Sequence, residues 1–457
     1  MNTQSIWQRH RKIFKYKKAF FYRRDQFRLY LNLGYSLVWA FTFLLFTQCQ
    51  PLLDEEPQPT QKFNANLSRQ TVTTFDGNIT QSLCHTEVLQ PSGEIILICV
   101  PANWNGELIL YAPGYTPAFE SLHIADEASI YAPLFTGFGY AFATTSYSDN
   151  GLAVQTGIQD MIDLRDLFIE QYGMPNEIYL TGASEGSLVT TLAVERHPEL
   201  WSGGLALCGP CGDFQRQINY YGNFRVLFDF FFPGVLPGTV IDVPQEMIMN
   251  WETVYVPQII AAITEDPAKT IALLNVAEAP YTLADPTTII QTVVGVLTYN
   301  LFIIDAIEKL GGQPFDNQNY VYSGSGDANL DMLINQTVQR YSADKEAAKT
   351  IKKFYETSGI LKKPLIKAHT TLDPIQLFRN MALYEAKIPV GKRTLFEAIP
   401  VSRYGHCSFT EQEAVALFTA LLQKVDAQKQ HPLAKAVSQG GKVVSAVATD
   451  IQFAAAK

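Results

Sequence analysis

The sequence has few charged residues, few histidines and none of the motifs of two large enzyme classes. Only 17% of its 457 residues are charged and 47% are hydrophobic, a balance typical of a folded globular protein and not of a disordered one. No GxxxxGK[ST] loop and no HExxH sequence is present, so nucleotide-phosphate and zinc-peptidase chemistry have no motif support. No repeat or low-complexity segment is visible. The length allows one large domain with insertions, or two or three smaller ones.

Basic residues are scarce beyond the first 48 positions. Residues 1–48 hold nine of the 35 basic residues and one of the 44 acidic ones. The remainder therefore has 26 basic and 43 acidic residues, a net charge of −17. A body this acidic repels phosphate backbones, which excludes nucleic acid as a partner.

The N-terminus has the order of an export signal. Basic residues fill 1–28, an uncharged apolar run covers 35–46 (YSLVWAFTFLLF), and Cys49 precedes an acidic, proline-containing stretch. The run is short for a membrane span. The segment resembles a bacterial lipoprotein signal, which implies lipid on Cys49. Ordinary cleavage, or an uncleaved anchor within 29–48, are the alternatives. We expect an export signal or anchor over 1–48, an acidic tether over 49–62, and a cell-envelope protein that contacts the membrane.

The body alternates apolar strands with amphipathic helices. This rhythm predicts an α/β fold with a mostly parallel sheet covered by helices on both faces, and sites at the carboxyl ends of the strands. We expect the core to occupy 63–212 and 362–457. The predicted strands are 94–104, 106–117, 139–148, 177–184, 200–210, 363–374 and 393–406, and the predicted helices outside the insertion are 157–172, 186–199, 375–387 and 409–425.

Residues 213–361 lose this rhythm. They are rich in aromatic and apolar residues and end in a polar helical stretch, 327–357. We interpret the segment as a helical cap inserted between the fifth and sixth of these strands and covering the site. A separate domain is the alternative.

Ser184 lies in Gly182-Ala183-Ser184-Glu185-Gly186, between an apolar strand and a helical pattern. A serine at such a turn has a forced backbone and a hydroxyl that projects above the sheet edge, and both glycines are needed because a Cβ would collide with the neighbouring strand or helix. The helix that follows offers free N–H groups to a developing oxyanion. An ordinary glycine-rich turn without chemistry is the alternative.

A serine nucleophile needs a general base and a carboxylate that orients it. Asp373 follows a predicted strand, and His406 lies 33 residues later between a strand and a helix. As alternatives, Asp373 could cap the following helix, and Asp327 or Asp331 could be the acid. His369, inside a strand, and His197, at a helix end, compete with His406.

The motif, the aspartate and the histidine together resemble the α/β-hydrolase superfamily, in particular secreted bacterial serine hydrolases of the esterase and peptidase kind. The resemblance implies Ser184 as nucleophile, His406 as base and Asp373 as its orienting partner. It also implies an oxyanion hole from the N–H groups of Glu185 and of Tyr115, in the loop APGYT, with no cofactor and no metal.

The His-Cys pair in GHCSFT is similar to that of tannase-like esterases, which place a second cysteine directly before the serine. Ala183 occupies that position here, so membership of that subgroup is not supported.

With Cys49 lipidated, five cysteines remain, and an exported protein is expected to pair them. Cys84 and Cys99 flank a predicted hairpin turn and could bridge. Cys208 and Cys211 form a C-x-x-C without the context of a redox or metal site. One of these two could bridge to Cys407 and brace the histidine loop, which leaves one cysteine over.

We expect an ester hydrolase that acts through an acyl-serine, because an aromatic, apolar cap suits an apolar acyl or aryl substrate. A serine peptidase is the second hypothesis, since Glu185 beside the nucleophile could meet a substrate amine. A binding protein on a hydrolase scaffold is the third, and the complete set of catalytic residue types disfavours it.

Overall fold

A mixed but mostly parallel sheet forms the centre of the protein. The computed structural model describes residues 70–72 and 82–429, with side chains from Cys84 onward. The described strands are β1 (Gln70–Val72), β2 (Ser82–Val88), β3 (Ile95–Pro101), β4 (Glu107–Ala112), β5 (Ala141–Thr145), β6 (Glu177–Ala183), β7 (Gly203–Leu207), β8 (Leu365–Leu372) and β9 (Phe396–Tyr404). Their order is β1-β2-β3-β5-β4-β6-β7-β8-β9. From β5 to β9 in this order, each neighbouring pair of strands is parallel. The pairs β1–β2, β2–β3 and β3–β5 are antiparallel.

Helices follow most of the strands. They are α1 (Ala128–Gly137), α2 (Val154–Tyr172), α3 (Glu185–Arg196), α4 (Phe214–Phe231), α5 (Gln245–Met249), α6 (Val256–Glu265), α7 (Pro267–Val276), α8 (Thr287–Leu310), α9 (Ala328–Thr337), α10 (Lys345–Phe354), α11 (Arg379–Lys387) and α12 (Glu411–Lys429). A π-helical turn covers Trp251–Tyr255, and a 3₁₀ helix covers Val390–Leu395.

Helices cover both faces of the sheet. Successive side chains of a strand point to opposite faces. Leu108 and Leu110 of β4 accordingly pack in the core that contains α2 and α3, whereas Ile109 and Tyr111 pack in the core that contains α1 and α12. Each fully buried side chain of this kind stabilises the fold by roughly 1.5–3 kcal/mol. The predicted α/β class is therefore confirmed.

Three local features differ from the sequence-based expectation. Strands β1 and β2 were not among the predicted strands, although the hairpin turn that joins β2 to β3 was predicted. Helix α1 was not predicted either; it contains Pro133, a residue that normally interrupts a helix. Helix α11 begins at Arg379 and not at 375, because the side chain of Asp373 binds the N–H groups of Ile375 and Gln376 in a turn. Asp373 therefore does not cap that helix.

The segment 213–361 lies between β7 and β8. Helices α4 to α10 fill it, and none of its described residues joins the central sheet. Among the described helices only α8 has the length and apolar composition of a membrane span, but it packs against α4 as a core helix does. We refer to residues 213–361 as the insert. It belongs to the same compact unit as the sheet.

The predictions for the N-terminus fall outside this structure. Residues 1–48, the tether 49–62 and Cys49 lie outside the described residues, as does 430–457.

Candidate active site

Ser184 lies at the junction of β6 and α3 with a strained backbone. Its φ is 55° and its ψ −120°. For a residue other than glycine such a conformation costs about 1–3 kcal/mol, and strain of this kind is concentrated at functional sites. A Cβ on Gly182 would collide with the carbonyl of Gly186, and one on Gly186 would collide with the carbonyl of Ala112. The strand, sharp turn and helix expected from the sequence are therefore present, for the expected steric reason.

His406 lies between Ser184 and Asp373. Its Nε2 is 2.8 Å from Ser184 Oγ, and its Nδ1 is 2.8 Å from Asp373 Oδ2. Both distances are those of good hydrogen bonds. Ser184 and Asp373 are buried, whereas the histidine side chain is 20% exposed. The structure thus brings together three side chains that are separated by 222 and 33 positions along the chain.

The sheet, the turn and the chain order of these side chains decide the fold family. The serine stands at a sharp strand-to-helix turn at the carboxyl edge of a mostly parallel sheet, and the order along the chain is Ser, Asp, His. The chain has an α/β-hydrolase fold. In this fold the residues at the carboxyl edge of the sheet determine the chemistry, while helices and loops inserted above it shape access.

Asp373 is held as a carboxylate in this hydrolase fold. Its Oδ1 accepts hydrogen bonds from the N–H groups of Ile375 and Gln376, both 2.9 Å long. Burial by itself raises the pKa of the Asp373 carboxyl, but the charge of His406 and hydrogen bonds from His369 and His406 lower that pKa below its usual value. An ionised Asp373 fixes the proton of His406 on Nδ1 and leaves Nε2 free to accept from Ser184.

The competing residues serve other roles. Asp327 caps α9 by accepting from the N–H of Asn329, and Asp331 accepts from two backbone N–H groups of the loop before that helix. His197 lies at the end of α3 near Glu199, with side-chain atoms 3.9 Å apart. None of these three contacts His406.

His369 lies on β8 and contacts the same carboxylate oxygen of Asp373 that His406 contacts. Its Nε2 is 2.6 Å from the carbonyl oxygen of Gln376 and 3.3 Å from Asp373 Oδ2. A proton on this nitrogen donates to both groups. His369 thus supports Asp373 and does not reach the serine, a role that its position in the sequence did not indicate.

Disulfides fix the cysteine assignment that the sequence left open. Cys84 pairs with Cys99 across the hairpin of β2 and β3, and Cys208 pairs with Cys407. Cys211 is the free cysteine among the described residues, and it is buried.

The disulfide between Cys208 and Cys407 lies beside His406. Cys208 directly follows β7 and Cys407 directly follows His406. The partner of the cysteine in the His-Cys pair therefore comes from the strand next to β6 and not from the residue before Ser184. Both bonded sulfurs are occupied, so neither offers a thiolate to a metal.

The loop after β4 passes over the serine. A Cβ built on Gly114 would lie 3.4 Å from Ser184 Cβ, and Tyr115 lines the same cavity as Ser184 and Glu185. The backbone N–H groups of Tyr115 and Glu185 donate no hydrogen bond to any residue in the described part of the chain. Glu185 begins α3, where the first N–H groups of a helix have no internal acceptor. Both residues predicted for the oxyanion hole therefore lie at the serine.

The insert covers Ser184. Phe214, Gln217, Ile218 and Tyr221 of the insert, and Tyr299 and Phe302 of α8, line a narrow cavity that also contains Ser184. The rings of Tyr221 and Tyr299 stack with centroids 4.9 Å apart, and Phe302 meets Tyr115 edge to face at 5.1 Å. The substrate side of the serine is thus a mostly aromatic surface supplied by the insert.

Glu185 and Gln376 are two polar side chains of this cavity, and the sequence did not indicate that they lie in it together. Glu185 is 6% exposed and accepts from the N–H of Ala153 at 2.8 Å. Gln376 is also 6% exposed and donates from Nε2 to the hydroxyl of Tyr221 at 2.8 Å. The Ala153 contact joins residues 32 positions apart and the Tyr221 contact joins residues 155 apart, so no local pattern could have indicated them.

The comparisons with known proteins give distant structural matches. No protein-family model matches the sequence, and no curated protein matches it. Among solved structures, feruloyl esterase B from Aspergillus oryzae is 13% identical with a TM-score of 0.40, covering 79% of this chain and 85% of the other. Candida antarctica lipase A is 14% identical with a TM-score of 0.37, covering 76% and 78%.

A putative dipeptidyl aminopeptidase IV from Bacteroides ovatus is 14% identical with a TM-score of 0.38, covering 76% of this chain and 36% of the other. At these scores the matches carry no argument about activity. The sheet and the strand-to-helix turn at Ser184 define the fold.

Proposed function

We propose that the protein is a serine hydrolase that cleaves carboxylic esters through an acyl-serine intermediate. One observation carries the proposal: His406 bridges Ser184 Oγ and the buried Asp373 carboxylate with 2.8 Å contacts on both sides. This arrangement turns a weakly nucleophilic hydroxyl into a nucleophile at neutral pH.

The proposed reaction has two acyl-transfer steps. Ser184 Oγ attacks the ester carbonyl while its proton passes to His406 Nε2, and the N–H groups of Glu185 and Tyr115 stabilise the oxyanion. His406 then donates the proton to the leaving alkoxide. Water, deprotonated by the same nitrogen, releases the acid and regenerates the serine. These steps use side chains and backbone only and require no cofactor.

The lining of the cavity favours an ester with an apolar or aryl group. Phe214, Tyr221, Tyr299 and Phe302 supply aromatic surface beside Ser184. Such surfaces bind apolar groups because water is released on contact.

The peptidase alternative has weaker support. Burial raises the pKa of Glu185 to about 8, although the hydrogen bond from the Ala153 N–H and the charge of Lys309 lower it. At neutral pH the carboxyl is therefore largely uncharged and a poor partner for a substrate ammonium.

A substrate panel tests this proposal. We expect the purified protein to hydrolyse para-nitrophenyl esters of apolar acids and to leave aminoacyl anilides uncleaved, measured by release of the chromophore. The Ser184→Ala protein supplies the blank. Preferential cleavage of the anilides would show a peptidase. Absence of both activities, together with absence of labelling by a fluorophosphonate, would favour the binding-protein hypothesis.

We also propose an exported, cell-envelope location with attachment to the membrane through Cys49 or an N-terminal anchor. The order of basic region, apolar run, cysteine and acidic tether at residues 1–60 supports export. The two disulfides add a second argument, because such bonds persist in oxidising compartments.

The lipid itself can be measured. We expect mass spectrometry of protein from the membrane fraction to find an N-terminus at Cys49 that carries lipid. Cys49→Ser should abolish this modification, while Cys211→Ser, a change at the buried free cysteine, should retain it. An unmodified N-terminus elsewhere in the wild-type protein would contradict lipidation.

A further inference from the structure

Two buried oxygen atoms of the cavity have no hydrogen-bond partner within the described residues. They are Oε2 of Glu185 and Oε1 of Gln376. Both side chains line the cavity beside Ser184, and both are 6% exposed. A buried polar atom without a partner is costly, and native structures rarely retain one without a reason.

The rest of each side chain is held in place. Oε1 of Glu185 accepts from the Ala153 N–H, so the carboxyl cannot turn away to solvent without breaking that bond. Nε2 of Gln376 donates to Tyr221, and the Gln376 backbone binds both Asp373 and His369. Both side chains that carry these oxygens therefore have a fixed position in the wall of a cavity whose other lining residues are mostly apolar.

We propose that Glu185 and Gln376 select substrates in which an apolar or aryl group carries a hydroxyl that enters this cavity. The inference rests on the proposed ester hydrolysis and names its substrate class. A hydroxyl both donates and accepts. It can donate to Gln376 Oε1, or accept from Glu185 when that carboxyl is protonated, so a hydroxyl can satisfy either oxygen.

The charges around Glu185 favour a neutral hydroxyl over an ammonium group. Lys309 acts on Glu185 from α8 and already supplies a positive charge, and Asp305 acts on it from the same helix with the opposite sign. Lys309 Nζ lies 3.8 Å from Asp305 Oδ2 and 2.9 Å from Asp149 Oδ2. The local cation is thus paired, and the buried carboxyl stays largely protonated at neutral pH. A substrate ammonium group bound here would require the Glu185 carboxyl to lose its proton.

Matched substrate pairs test the inference. The acyl-side pair is para-nitrophenyl phenylpropanoate and its ring-hydroxylated counterpart; the alcohol-side pair is benzyl acetate and hydroxybenzyl acetate. An aminomethyl analogue of each provides the ammonium arm. We expect wild-type kcat/KM to favour the hydroxylated member of one pair by about tenfold or more, because a site built to bind a hydroxyl rejects its absence. The pair that shows the preference identifies the side of the ester that enters.

Variants assign the preference to the two residues. Glu185→Met and Gln376→Met should each lower the ratio severalfold, and the double variant should bring it to about one. Glu185→Gln should keep most of the ratio, because an amide retains the acceptor for Ala153 and presents a neutral donor. Glu170→Met and Gln159→Met, changes of the same kind on the exposed side of α2, should leave it unaltered.

Each result is decisive for one hypothesis. If wild-type protein hydrolyses both members of each pair equally, or prefers the ammonium analogue, the inference fails while ester hydrolysis stands. If the ratio survives in Gln376→Met and in the double variant, recognition lies elsewhere. If Glu185→Met does not fold, Glu185→Gln and Gln376→Met still decide. Absence of both hydrolysis and fluorophosphonate labelling would reject the proposed function itself.

Discussion

Ser184→Ala is expected to remove turnover and covalent labelling by a fluorophosphonate together. The substitution deletes the one oxygen that lies 2.8 Å from His406 Nε2. Loss of the nucleophile costs on the order of 10⁶ in kcat in a well-studied serine protease, and we expect a loss of similar size here. Because alanine is smaller than serine, the turn should keep its fold, although the strained φ of residue 184 remains.

The matched control is a serine in the first turn of α3. Ser187 is buried, and its Oγ is 3.3 Å from Cys211 Sγ, away from the histidine. Ser187→Ala should be labelled like the wild type. Ester hydrolysis is followed by chromophore release and labelling by gel fluorescence. Labelling of folded Ser184→Ala at wild-type intensity would place the nucleophile at another serine.

Asp373→Asn should preserve the fold and lose on the order of 10⁴ in kcat at neutral pH. The asparagine oxygen can still accept from the N–H groups of Ile375 and Gln376, which keeps the turn. Its NH₂ group would then face His406 Nδ1. An amide donor there favours a proton on His406 Nε2, and that nitrogen can no longer accept the proton of Ser184.

Asp327→Asn and Asp331→Asn are the controls for this prediction. Both aspartates bind loop or helix N–H groups at the start of α9 and have no contact with His406. We expect each variant to retain nearly full kcat. Circular dichroism should first show that all three variants are folded. Full activity of folded Asp373→Asn, with loss in Asp331→Asn, would move the catalytic acid into the insert.

Local steric rules made the central part of the site predictable. Gly182 and Gly186 leave room for neighbouring carbonyl groups, and this requirement is visible in five consecutive residues. Asp373 and His406 were identifiable because each follows an apolar strand, and the carboxyl ends of parallel strands meet at one edge of the sheet. The apolar run within 106–117 likewise predicted a strand, and its residues Leu108 and Ile109 pack on opposite faces of the sheet.

Long-range contacts explain what the sequence did not reveal. Glu185 meets Ala153 because α2 packs against α3, and Gln376 meets Tyr221 only when the insert lies over the sheet. His369 supports Asp373 because the chain forms a turn over residues 373–376 and α11 begins only at Arg379. Helix α1 escaped prediction because Pro133 reads as a break, whereas its packing on the sheet outweighs that local preference.

The Cys208–Cys407 bridge has a consequence for how the insert can move. It joins positions 199 residues apart, and the whole insert lies within the covalent ring that it closes. Of the two bonded cysteines, Cys208 directly follows β7 and Cys407 directly follows His406. The insert starts after β7 and ends before β8, so both of its ends are joined to neighbouring strands of the sheet. His406 lies outside the insert and is joined to the end of β7 through Cys407, so a rearrangement of the insert would leave the attachment of the histidine loop unchanged.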